Sequence, residues 1–170
     1  LDNSTVILGG PDRVARAYST KTGELPYELT KHNDWITACA FSPDGVLVAT
    51  ADRSGGLFVW EAMTGREFHQ LEVVDSGVNS LDWRSDSMVL ATGHGKGDIR
   101  QFEMDGGARI RRWNVHGGVQ DIDYLRDGRI ASCGMNGGLL LSNGDGSLSF
   151  NVKAALSATT AVASTGDGEH

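Results

Sequence analysis

The sequence predicts an all-β chain assembled from one four-stranded unit repeated in tandem. Three observations carry that reading. A hydrophobic pattern returns every 41 or 42 residues; its strand-length apolar runs are bounded by Gly, Asp and Ser; and helical periodicity is nearly absent. The 170 residues include 23 Gly but only 3 Pro, with 39% hydrophobic residues, which suits many tight turns around a real core rather than disorder.

Ile36, Val78 and Val119 anchor the first strand of three successive units, and each is followed five residues later by an aromatic: Phe41, Trp83 and Tyr124. A turn comes next, "SPDG" at 42–45, "RSDS" at 84–87 and "LRDG" at 125–128, and then a small-residue strand, "LVATA", "VLATG" or "IASCG". A Gly-rich turn containing Gly55, Gly97 or Gly137 leads to a third strand, "LFVW", "IRQF" or "LLLS". A second turn, with Gly65, Gly106 or Gly146, leads to the fourth. We label these strands a to d. The N-terminal "VILGG" and "STKTG" fit strands b to d of the same frame. "TAVASTGDG", from Thr160, aligns with "TACAFSPDG", from Thr37, and so reads as a further strand a. Taken alone, 153–163 has the spacing of a short helix; the repeat frame instead makes it the end of a strand d, a loop and a strand a.

Four-stranded units of 40–45 residues in tandem point to propeller blades. The stretch "FSPDG…LVATADRSGGLFVWEAMTG", the "TG" turn after strand c and a His before strand a resemble the WD-repeat β-propeller family, in its bacterial type, over about 150 residues. The naming dipeptide is degraded to Tyr18-Ser19, Trp60-Glu61, Phe102-Glu103 and Ser142-Asn143. The resemblance implies a structural hydrogen-bond network. His32, Thr50 and Trp60 supply it in one unit, with Ser54 where the family has Asp. His116 and Ser132 supply it in another, with Asn136 at the Asp position. Incomplete networks are therefore expected.

The frame gives a single domain over 1–170 with four blade equivalents: 1–30 plus 159–170, 36–71, 78–113 and 119–152. The strand a near 159–164 and the strand b near 5–9 are each left as an open edge, and open edges invite pairing. Closure within one chain would turn each blade through about 90°, against about 45° in an eight-bladed ring, and would open gaps between blade faces. The expectation is therefore an eight-bladed ring of two chains that exchange strands, a homodimer; closure within one chain and a fragment of a larger propeller are the alternatives.

The net charge of −7 and a pI near 5.1 argue against a binder of the nucleic-acid backbone. No run approaches the roughly 20 apolar residues of a spanning helix and no signal peptide is visible, so no membrane is expected and a cytoplasmic location is favoured. Cys39 and Cys133 read as free thiols. The His residues show no metal-ligand spacing. "GHGKGD" lacks the phosphate-loop pattern, and "NGDGS" lacks the distal Glu of a calcium loop, so neither a metal nor a cofactor is expected.

By resemblance, the chain is a non-catalytic scaffold that binds a protein or peptide on the propeller's top face, where d–a and b–c loops ring the channel. Those loops offer Trp35, Arg53, His94, Lys96 and Met135, with His116 beside them. Two alternatives remain: a half-propeller whose only activity is self-assembly, and an enzyme or sugar-binding propeller with its site in the channel.

Overall fold

Local turn chemistry sets the path of the chain. After each of three strands a, an Asp carboxylate accepts from the backbone N–H two residues on: Asp44 from Val46 (3.0 Å), Asp86 from Met88 (2.9 Å) and Asp127 from Arg129 (3.0 Å). Gly45 and Gly128 follow with left-handed φ of 75° and 84°; Ser87 takes the same position at 63°. The computed structural model describes residues 4–72, 75–115, 117–153, 155 and 157–165.

Among these residues fifteen strands form four antiparallel meanders. The first sheet is β1 (Thr5–Leu8), β2 (Ala15–Ser19) and β3 (Tyr27–Leu29). The second is β4 (Ile36–Phe41), β5 (Leu47–Asp52), β6 (Leu57–Glu61) and β7 (Glu67–Gln70). The third is β8 (Val78–Trp83), β9 (Val89–His94), β10 (Asp98–Glu103) and β11 (Arg109–Asn114). The fourth is β12 (Val119–Tyr124), β13 (Ile130–Gly134), β14 (Gly138–Ser142) and β15 (Leu148–Lys153). The described part of 153–163 contains no helix. The fold is a WD-type β-propeller architecture of four blades.

The core lies between blades, because each sheet is apolar on both faces. Ile7, Ala15 and Leu29 of the first sheet meet Ile36, Val48, Phe58 and Trp60 of the second. Leu57, Val59 and Leu71 meet Val78, Trp83, Leu90 and Phe102, and Val89, Ala91 and Ile99 meet Val119, Ile122, Tyr124 and Ile130. Spacing between blades is set partly by Gly93: a Cβ there would lie 2.5 Å from Val119 Cγ1, so any larger residue would wedge the third and fourth sheets apart.

The inner strands are joined blade to blade by hydrogen bonds. Thr37 Oγ1 donates to the Val78 carbonyl, and Asn79 Nδ2 to that of Val119 (2.7 Å). Ile122 N donates to Ser80 Oγ (3.2 Å) and Tyr124 N to Asp82 Oδ2 (2.6 Å). Residues 159–165 continue this series beyond the fourth sheet. Val162 N donates to Asp121 Oδ2 (2.9 Å), Ser164 N to Asp123 Oδ2 (2.7 Å) and Thr159 N to the Gly134 carbonyl (3.1 Å). The segment thus lies where strand a of a next blade would lie. Closure within one chain requires a ladder from it to residues around Val6. Instead β1 pairs only with β2 among the described residues, and the first sheet has three strands. Residues 166–170 of that expectation lie outside the described residues.

Both end faces of the stack are apolar and open. Val6 and Leu8 are exposed on the first sheet, whereas Val48, in the position of Val6 one blade on, is fully buried. On the fourth, Leu141 lies opposite Phe150 and Leu139 opposite Val152, so the four side chains share a face. Phe150 is 51% exposed there, while Leu57 and Val59, which hold the positions of Leu139 and Leu141 in the second sheet, are fully buried.

Candidate functional site

The predicted network residues come together in the second sheet, where a directed chain of hydrogen bonds crosses the blade. Trp60 Nε1, which can only donate, donates to Thr50 Oγ1 at 2.8 Å. The Thr50 hydroxyl is then free to donate to His32 Nε2 (2.7 Å), and His32 Nδ1–H donates to Asp52 Oδ2 (2.7 Å). This order makes His32 the neutral Nδ1–H tautomer. Burial pushes the His32 pKa below its ordinary value, against the pull of Asp52. Burial pushes Asp52 up, but bonds from His32, Ser54 and Gly56 outweigh it and hold its carboxyl below the usual range.

The structure corrects the expected Asp position. Asp52, not residue 54, completes the network. Ser54 supports it, donating from N and Oγ to Asp52 Oδ1 at 3.0 and 2.7 Å. The carboxylate folds back over the turn because residue 56 is Gly; a Cβ there would sit 2.4 Å from Asp52 Oδ2.

The other network candidates are placed differently. Ser132 is buried at the equivalent place in β13. Asn136 Oδ1 accepts from Gly138 N at 3.0 Å and so braces a turn, and Trp113 Nε1 donates across the seam to Ser142 Oγ (3.3 Å). His116 lies outside the described residues.

At the loop mouth, Trp35 is 51% exposed, and the Arg53 guanidinium lies 4.5 Å from the centre of its ring while reaching Asp34 at 3.3 Å. Met135 is 57% exposed, and Lys96 pairs with Asp75 at 2.8 Å. His94, expected on this rim, is fully buried at the end of β9, with Nε2 2.7 Å from Thr92 Oγ1. The correction has a physical cause: β9 runs one residue further than the turn reading allows, and it pairs His94 with Val78.

The rim residues are linked through backbone. Arg53 N donates to the Trp35 carbonyl (2.9 Å), Gly95 N to that of Gly77 (3.1 Å) and Met135 N to that of Gly118 (3.0 Å). Between these pairs the loops touch: a Cβ on Gly77 would lie 2.7 Å from the Arg53 carbonyl oxygen, and one on Gly118 3.0 Å from that of Gly95. One contiguous band therefore joins Trp35 to Met135 across three blades.

A cavity of about 360 Å³ lies beside the inner strands, lined by Gly9, Ile36, Cys39, Asn79, Ser80 and Asp121 among others. Its carboxylate, Asp121, already accepts from Ser80 Oγ (2.6 Å), Ile122 N and Val162 N. Burial pushes the Cys39 thiol up, away from thiolate chemistry. Among the described residues no group of three His, Cys, Asp or Glu is arranged to hold a metal, and no helix is long and apolar enough to cross a membrane.

Blades of this pattern and this network define a WD-repeat propeller, and comparison with known proteins agrees. The family model described as WD domain, G-beta repeat matches residues 23–61. The chain is 33% identical over 105 residues to the human angio-associated migratory cell protein, covering 62% of this chain and 24% of that protein. It is 29% identical over 146 residues to the 66 kDa stress protein of Physarum polycephalum (80% and 24%), and 27% identical over 140 residues to Actin-interacting protein 1-2 of Arabidopsis thaliana (78% and 23%). The chain is similar to the WD-repeat family, with one repeat matched at residues 23–61, and spans about a quarter of the length of these relatives.

Proposed function

We propose that the chain is a non-catalytic WD-repeat scaffold that binds a protein or peptide at its loop mouth and assembles with a second copy into an eight-bladed ring. The observation that carries the assembly is the placement of residues 159–164, which make to β12 the contacts that an inner strand makes to the blade before it. Among the described residues the inner edge of β1 is open for such a strand. Exchange would complete the first sheet as 1–30 plus 159–170 of the other copy. It would also lay the Leu139, Leu141, Phe150 and Val152 face of one copy on the Val6 and Leu8 face of the next, removing both apolar ends from water.

At the mouth, Trp35, Arg53, Lys96 and Met135 form the proposed contact set; the buried His94 leaves it. An exposed aromatic stacked by Arg, with an exposed Met at the other end of the same band, suits a peptide partner. One relative's name describes it as actin-interacting, which supports a protein partner here without specifying one. The free Cys39 and Cys133 suit a reducing compartment such as the cytoplasm.

Light scattering tests the assembly. The expected particle has twice the 18.1 kDa chain mass, and Val162→Pro, which deletes the N–H given to Asp121, shifts it toward one chain. A single-chain mass for the unmodified protein at every concentration overturns the ring.

A further inference from the structure

The third sheet holds a buried charged cluster that the scaffold reading does not use. His94 stands where the second sheet has Asp52, and Arg100 where it has Phe58. Asp98, 1% exposed, accepts from Arg100 Nε (2.7 Å) and Arg112 Nε (3.0 Å). Arg100 also reaches Asp75 at 3.6 Å. His94 Nδ1, Asp98 Oδ1 and Ser76 Oγ are buried without a hydrogen-bond partner among the described residues. The groups around the imidazole are Asp98 and Arg100 from β10, Arg112 from β11, the Ser76 backbone from the loop before β8, Val78 from β8 and Thr92 from its own strand. With His94 neutral, Arg100 and Arg112 balance Asp98 and Asp75.

We infer that His94 is an acid-sensitive release for the loop mouth: its protonation puts a third cation against the buried Arg100 and the half-exposed Arg112, and loosens the seat of Gly77 beneath Arg53. This rests on reading the mouth as the partner surface. The mechanical link is short. Gly95, next in the chain to His94, is hydrogen-bonded to Gly77, and Gly77 abuts the Arg53 carbonyl, whose side chain stacks on Trp35. Burial lowers the His94 pKa to about 4, with Arg100 and Arg112 adding to the shift and Asp98 opposing it. An opened loop returns the imidazole toward its ordinary 6.5. The closed seat is therefore fully held above that value and weakens steadily as pH falls toward about 4.

The test needs no partner. Acrylamide quenching of tryptophan emission is followed from pH about 7.5 to about 4 in the full chain. Trp60 and Trp83 are buried and Trp113 is half-buried, so the quenched fraction comes from Trp35 and Trp113, and Trp35→Phe separates the share of Trp35. The expected result is a Trp35 response that grows on acidification and is flattened by His94→Gln, which stays neutral and can still bond Thr92. A His94→Gln chain with the same acid response overturns the inference, because His32 or the carboxylates would then be responsible. If His94→Gln does not fold, NMR of the unmodified protein decides. The Trp35 indole N–H must shift with the midpoint of the His94 ring, and titration of His94 with an unmoved Trp35 overturns the proposal. Either outcome leaves partner capture at the mouth to be judged separately.

Discussion

His32 Nδ1 donates to Asp52 at 2.7 Å in a site where neither side chain exposes more than 1% of its surface. The pair links the loop before β4 to the end of β5, so its removal should loosen both. Asp52→Ala leaves the His32 N–H and the Gly56 N–H buried without an acceptor, which costs about 2–4 kcal/mol. Thermal unfolding should show a clear loss, whereas Ser54→Ala, which removes one supporting donor, should cost about 1 kcal/mol. Equal losses for the two variants would refute the assignment of Asp52 as the network's carboxylate.

Stability should fall on the acid side. His32 has a folded-state pKa below its ordinary 6.5, so its contribution is complete above that value and declines as pH drops. Asp52 has a depressed carboxyl, so its contribution is present above the ordinary 3.8 and is lost as pH falls through the folded-state value. Both signs agree. Urea midpoints measured between neutral and acid pH should decrease monotonically, and His32→Gln should flatten the limb nearest 6.5. A midpoint that rises on acidification contradicts the assignment.

The seam between the third and fourth sheets should not tolerate a side chain at residue 93. Gly93→Ala places Cβ against Val119 and is expected to cost about 1–3 kcal/mol by overpacking. Gly10→Ala, with open space around its Cβ, should be within about 0.5 kcal/mol of the unmodified protein. Denaturant titration of the two variants checks the contrast, and equal effects would mean that the sheets are not seated as described.

Trp35 and Arg53 should matter to binding and hardly to stability. The double change to Ala removes an exposed stack worth about 0.5–1 kcal/mol and leaves every blade seam intact. Proteins captured by the unmodified chain should be lost with the variant, while the melting temperature moves little. Undiminished capture would shift the contact surface to the opposite, a–b and c–d loop face, where Met63 is 90% exposed.

The strand frame was legible because its signals are local: Asp44, Asp86 and Asp127 shape their turns through bonds two residues long. His32, Thr50 and Trp60 were legible as a group through the family resemblance. Asp52 was not, because its role depends on a one-residue choice at a turn; the signal available was Gly56, four residues on, which leaves the carboxylate room to fold back. The burial of His94 was hidden for a different reason. A "GHGKGD" turn reads as exposed, and only pairing of Asp98 with Arg100 and Arg112, from two neighbouring strands, encloses the imidazole.

Asp121 and Asp123 hold 159–165 by its amides at Val162 and Ser164, two residues apart. Main-chain amides look alike at every second position, so these carboxylates alone would accept the segment slipped by two residues in either direction. Thr159 acts as the index mark: its hydroxyl accepts from Gly134 N while its own amide donates to the Gly134 carbonyl, a double clasp that Ala161 could not reproduce in an alignment slipped one way and that only the Ser157 hydroxyl could imitate in one slipped the other way. Faithful alignment of the seam against slippage toward Ala161 thus falls to a single hydroxyl.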